Sequence, residues 1–189
     1  ADEVSSLYNH GLPIDLTTDQ AAYESSSNLV GYWRMGSGTL DSYPLIADQT
    51  NATLGSELVV NGDFANGTTN WTVSNGTISI DNDRLKIDGI SGATAEQAVT
   101  AIIGKTYKVT YSFTLGTATS GALIITGGNY PTLNAPQGTN TFYTTATQTN
   151  LRVRPRIGSN GTMFVDNVSV KQVNGNPAIM TNMTASDIE

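Results

Sequence analysis

The 189-residue chain holds one histidine and no cysteine, which removes thiolate nucleophiles, thiolate metal sites and disulfides together. A Ser–His–Asp relay would have to run through His10, which sits between Asn9 and Gly11 among turn formers. A triad demands a mutual geometry that such a position does not supply, so His10 reads as a turn residue. Hydrolysis of a glycosidic bond needs two carboxyl groups flanking it. Glu24, Glu57 and Glu96 occupy a linker, a strand start and a loop, with no active-site pattern around them. Asp81, Asp83 and Asp88 cluster at a hairpin turn without the glycine and closing glutamate of a calcium loop, so they read as turn formers. The expectation is a chain with no catalytic residues.

Binding chemistry is better represented. Arg152, Arg154 and Arg156 alternate along one strand candidate and place three of the nine Lys and Arg residues on one face. One reading is a solvated edge strand blunted by charge. The other is a row of planar donors for carboxylates, on an acidic glycan or on a neighbouring acidic subunit. Tyr130 and Tyr143 are expected on a loop or an open face, with the Asn129 amide beside the first of them. Few polar groups among apolar ones is the usual make-up of a small-ligand site. The candidate ligand set is therefore Asn129, Tyr130, Tyr143, Arg152, Arg154 and Arg156. A net charge of −7 and a pI near 4.5 argue against nucleic acid as a partner. No apolar run reaches the length of a membrane span, so membrane insertion is not expected.

These residues need strands to hold them. Only 13% of the residues are charged, and 19 are glycine, against about 25% charged in an average soluble domain. Short strands and turns are favoured over amphipathic helices. Tyr107, Val109, Tyr111 and Phe113 alternate on one face of the clearest strand. Residues 77–80 and 85–87 read as a hairpin across Asp81–Arg84. Further strands are expected over 98–103, 122–126, 140–143 and 150–157, an antiparallel β-sandwich by their spacing. Its expected core contains Val59, Phe64, Trp71, Val109, Phe113 and Val168. Asn-X-Ser/Thr sequons are frequent, as so Asn- and Thr-rich a chain makes inevitable.

Two stretches organise that sandwich. Glu57 to Phe64 reads as a short apolar strand, a tight Asn61-Gly62-Asp63 turn and a Phe that needs burial, with Trp71 following. About a hundred residues later, Met163 to Lys171 alternates apolar and polar residues, interrupted at Asp166-Asn167. An opening "NGDF…W" closed by "FVDNVSV" resembles carbohydrate-binding jelly-roll modules of the CBM4/9 type, among the galactose-binding-like β-sandwiches. The resemblance covers about residues 57–173 and implies an all-β, antiparallel jelly roll that holds sugars by aromatic rings and adjacent amide or guanidinium donors. It also implies a structural Ca2+ where the first and last strands meet, with Asp63 and Asp166 as the ligands. Ala65 stands where that pattern usually has an acidic residue.

The flanks carry a different resemblance. Residues 17–23 are expected to form a short helix capped by Thr18 or Asp19, followed by a flexible joint at Ser25–Ser27. Residues 28–36, "NLVGYWRMG", read as a strand. With "LYNHG" before them and "GNPAIMTNM" at 175–183, they resemble the laminin-G or concanavalin-like region of bacteriophage structural proteins. The expected organisation is a leader and strand segment (1–56), the jelly-roll module (57–173) and a C-terminal strand segment (174–189). Strands at 28–36 and 176–184 are expected to pair with each other or with neighbouring molecules, since a two-stranded ribbon is marginal alone. Leu29, Val30, Tyr32, Trp33, Ile179 and Met180 would bury in that assembly. The resemblances together imply a non-enzymatic virion subunit, its partners being itself, other virion proteins and a host-surface glycan. The alternative is a secreted glycan-binding module or adhesin at the bacterial surface.

Overall fold

The computed structural model describes residues 15–19, 23–24, 26–33, 44–48, 50, 53–129 and 136–179. Its strands are β1 (Leu45–Ile46), β2 (Leu54–Glu57), β3 (Thr72–Asp81), β4 (Arg84–Thr100), β5 (Thr106–Leu115), β6 (Gly121–Thr126), β7 (Gly138–Thr145), β8 (Asn150–Ile157), β9 (Gly161–Val173) and β10 (Ala178–Ile179). The chain divides into two compact units, one of residues 55–172 and one of residues 1–54 with 173–189. The protein is all-β, and the larger unit is an antiparallel jelly-roll sandwich.

One bent hairpin generates both layers. Asn82 and Asp83 both take positive φ between the paired Asp81 and Arg84, the backbone that a two-residue type I′ turn requires. From there β4 runs for seventeen residues. Its first half pairs with β9 through Leu85–Gly89, and its second with β8 through Thr94–Thr100. The strands thus order as β6-β8-β4-β9-β5-β7, with β4 passing from one layer to the other. The bend falls where Gly76 of β3 faces Gly89 of β4. A Cβ on Gly89 would stand 2.7 Å from the Asn75 carbonyl oxygen and from the Ala93 Cβ, so only glycine lets the two backbones approach this closely. Sequence reading placed separate strands at 85–87 and 98–103. The structure joins them into one strand that ends at Thr100.

Period-two alternation fills the interior. Tyr107, Val109, Tyr111 and Phe113 of β5 are all buried, together with Leu151, Val153 and Ile157 of β8. On β9 the buried positions are Met163 and Val165, then Val168 and Val170. The phase changes because Asn167, at φ 52°, inserts one residue opposite β5, whose register shifts between Thr110 and Ser112. This β-bulge is the interruption visible in the sequence at Asp166-Asn167.

The opening stretch folds otherwise than its apolar character suggests. Strand β2 ends at Glu57, and Leu58–Val60 do not continue it. Glu57 Oε1 accepts the amides of Leu58, Val59 and Val170, and Oε2 accepts the Ser169 hydroxyl at 2.6 Å. The chain curls around that carboxylate. Val60 then pairs with a side chain in place of a strand, donating to Gln97 Oε1 at 2.7 Å while its carbonyl accepts Gln97 Nε2 at 2.8 Å. Asn61 ties the following loop through its side chain to Asn66, Gly67 and Thr69, and its carbonyl accepts Trp71 Nε1. Gly62 lies against the bulge of β9, where Val168 donates to its carbonyl at 2.9 Å. A Cβ there would sit 2.0 Å from the Val168 oxygen. Phe64 and Trp71 enter the core side by side, ring centroids 5.4 Å apart.

The smaller unit is held by β1 and β10, paired as Leu45↔Ile179 and Ile46↔Ala178. It contradicts the expected 28–36 strand across its described part. Ser26–Asn28 form a 3-10 turn and Leu29–Trp33 no strand, so β10 pairs with residues 45–46 instead. Asp15–Thr18 make a turn in which Asp15 accepts the Thr17 amide and hydroxyl; no helix starts there, and residues 20–22 lie outside the described ones. The Ser26 hydroxyl and amide hold the Asp19 carboxyl below its ordinary value. The strongest tie is Asp48, 1% exposed. Its Oδ1 accepts Tyr32 N at 2.8 Å, Thr50 N at 3.1 Å and Thr50 Oγ1 at 2.8 Å, and its Oδ2 accepts Asn176 N at 3.2 Å. Burial pushes this carboxyl up, but the four hydrogen bonds outweigh it and hold the group below its ordinary value.

Candidate functional site

The arginine row lies where its spacing predicts, on the outward side of β8, whose Leu151, Val153 and Ile157 point inward. The edge-strand reading fails, because β8 is hydrogen-bonded to β6 on one side and β4 on the other. The arginines therefore stand in the middle of a sheet face. In register with them are Ala122, Ile124 and Thr126 of β6 and Thr94 and Ala98 of β4, small or aliphatic side chains that leave Arg152 and Arg156 exposed and Arg154 half-buried.

Glu96 of β4, read from sequence as a loop residue, organises the row. Its Oε1 lies 2.6 Å from Arg152 Nη1 and its Oε2 2.9 Å from Arg154 Nε. The second contact is an ion pair without hydrogen-bond alignment, since Arg154 Nε is buried and makes no hydrogen bond. Each guanidinium carries five N–H donors, so Glu96 orients both arginines and leaves most of their donors free. Among the described residues Arg156 has no ion partner. It rests beside Gly92, where a Cβ would stand 3.4 Å from Nη2. Glu96 also borders a hollow of about 320 Å³ with Val60, Asn70, Thr72, Gln97 and Ala98. The arrangement can hold an anion or a hydroxyl-rich ligand against a flat, donor-bearing face.

The other sequence candidates do not join this face. Tyr143 is 6% exposed, which corrects the expectation of an open ring; it sits on β7 beside Lys108, in the other layer. Asn129 is exposed, but its side-chain oxygen accepts Thr145 N at 2.8 Å, tying its loop to the end of β7. Tyr130 lies outside the described residues. Asp63 and Asp166 are each engaged locally. Asp63 Oδ1 takes the Ala65 amide, and both Asp166 oxygens take Asn167 donors. They line separate hollows, and among the described residues no three acidic or His side chains gather. The acids at these positions shape a turn and a bulge.

Of the flank residues, Val30 is 96% exposed, and Trp33 and Ile179 are also open. Leu29 and Tyr32 are half-buried, and Met180 lies outside the described residues. Trp33 folds over Gly31 and donates from Nε1 to the Asn176 carbonyl at 2.8 Å, so the two flanks do meet, by this contact and through Asp48. His10 is outside the described residues.

Glu57, Glu96 and Gln97 are what sequence reading missed as positioning groups. A lone Gln in a run of small residues was the available signal for Gln97. Nothing local announced that Glu96 would face two arginines from another strand.

No protein-family model matches the chain, and no curated protein does. Among solved structures it is similar to a CBM4 structure at 17% identity, covering 60% of this chain and 99% of that one, TM-score 0.48. It is similar to the N-terminal cellulose-binding domain of Cellulomonas fimi β-1,4-glucanase C at 16% identity, covering 68% and 100%, TM-score 0.42. It is also similar to the enzymatically active domain of bacteriophage CBA120 tailspike protein 4 at 15% identity, covering 62% of this chain and 21% of that one, TM-score 0.48.

Proposed function

We propose that the sandwich is a non-enzymatic glycan-binding module whose ligand lies across the outward face of β8. The observation that carries this reading is the central, ordered arginine row, set among small side chains and bordered by a polar hollow. A sugar chain offers many hydroxyls in a plane, and guanidinium forks on a flat face complement them. Binding is favoured over cleavage because Glu57 is fixed by three amides and a hydroxyl and Glu96 by two arginines. The sequence resemblance to CBM4/9-type modules supports glycan binding, though with aromatic rings rather than this donor row.

The test is a glycan array probed with the labelled full chain and with Ala98→Glu, which adds bulk and charge beside Arg152 without touching the core. The full chain should bind a defined glycan set that the variant loses. Binding of no glycan, or equal binding by both proteins, refutes the proposal.

A second reading concerns placement, a structural subunit on a phage virion in preference to a free bacterial surface module. The phage-like flank motifs support it, as do the open Val30, Trp33 and Ile179, apolar groups of the kind that interfaces cover. Native mass spectrometry decides: oligomers support this reading, and a discrete 19.9 kDa monomer supports the free module.

A further inference from the structure

We infer that the β8 face selects acidic glycans, with a carboxylate or sulfate group seated on Arg156; this rests on the glycan-binding reading above. Three observations converge. The face sets one carboxylate against three guanidiniums in a chain of net charge −7, so its local charge opposes that of the whole molecule. A purely solubilising surface has no reason to concentrate a third of the positive residues on one interior strand.

The division of labour within the row is the second observation. Arg152 and Arg154 share the single Glu96 carboxylate, which offsets one of their two charges and holds them in place. Arg156 has no ion partner among the described residues and lies over Gly92, so its outer N–H pair is free for a bidentate contact with a planar or tetrahedral anion. The first two guanidiniums then serve the hydroxyls of adjoining sugar units.

Third, the side chains in register with the row are Ala122, Ile124 and Thr126 on one flank and Thr94 and Ala98 on the other. None is aromatic, and Tyr143 is buried in the other layer. Among the described residues a neutral sugar chain therefore finds no ring in register with the row to stack on. The favourable contact this face offers in greatest strength is charge-assisted hydrogen bonding, which only an anionic ligand exploits fully.

The experiment is titration calorimetry of the full chain with three probes: an oligogalacturonate, a sulfated oligosaccharide and neutral xylo-oligosaccharides, each at about 0.05 M and 0.5 M NaCl. One or both anionic probes should bind, and which of them does so separates carboxylate from sulfate as the natural group. High salt should weaken binding. Arg156→Ala should weaken it ~10-fold or more, and Arg156→Lys by less, since a point charge cannot make the bidentate contact. Circular dichroism confirms that both variants fold. Neutral probes bound as tightly as anionic ones, with Arg156→Ala without effect, would overturn acidic selectivity while leaving glycan binding standing. Binding of poly-glutamate but of no glycan would overturn both readings, pointing to an acidic protein partner.

Discussion

Replacing Asp48 by Asn tests how the smaller unit is held. The side chains have the same shape, but Asn keeps only one oxygen. With that oxygen at the Oδ1 position, the Tyr32 amide, the Thr50 amide and the Thr50 hydroxyl still find an acceptor, now uncharged. At the Oδ2 position an NH2 group would face the Asn176 amide, donor against donor. A buried unsatisfied donor costs about 1–3 kcal/mol, and the charge-assisted bonds lose roughly half their strength. The total for Asp48→Asn is about 2–3 kcal/mol, and about 4–5 kcal/mol for Asp48→Ala, which strands all four donors. Amide hydrogen exchange by NMR reads the difference residue by residue, about ten-fold in protection per 1.4 kcal/mol. In Asp48→Asn the Asn176 amide should lose about 30-fold or more in protection and the Tyr32 amide less, with Val109 and Val165 of the sandwich as references. Acid should act on the same tie. A carboxyl depressed in the folded state contributes its stabilisation in full above its unfolded value and loses it as pH falls through the folded one. Asn176 protection should thus hold at pH 5–7 and fall below about pH 4 in the wild type, and be flat across that range in Asp48→Asn. If Asn176 exchanges alike in both proteins at pH 6, the carboxylate does not hold this unit and the reasoning is wrong.

Two further outcomes follow from the sandwich. Gln97→Ala removes three hydrogen bonds to Val60 and Asn70 and should lower stability in urea by about 2–4 kcal/mol, with faster exchange at Val60. A wild-type midpoint would show that Gln97 does not hold this loop. Gly89→Ala should cost about 2–4 kcal/mol, because its Cβ would meet the Asn75 oxygen and the Ala93 methyl at 2.7 Å; a neutral substitution would mean that the β3–β4 corner can open without loss.

The class of the fold was legible along the chain because it depends on local chemistry. Tyr107, Val109, Tyr111 and Phe113 alternate with polar residues, and a strand can bury such a set on only one side. Asp81 to Arg84 can form a tight hairpin turn whatever surrounds it, and the break at Asp166-Asn167 shows in the apolar phase before any bulge is seen. Phe64 and Trp71 were marked for the core by size alone. What tertiary structure decided is whatever depends on neighbours distant in sequence. The run Leu58–Val60 looks like a strand, yet the Glu57 carboxylate and the Gln97 amide take its backbone groups, and neither competitor is visible in a hydrophobic pattern. Tyr143 looks accessible in a polar stretch, and its burial belongs to the folded chain. The same holds for the arginines. Alternation put Arg152, Arg154 and Arg156 on one face, but whether that face was an edge or an interior one depended on β4 and β6 pairing on either side. Glu96 lies 56 residues from Arg152, and only the bend of β4 at Gly89 and Gly92 carries it to the row, where one carboxylate sets two guanidiniums and leaves the third open.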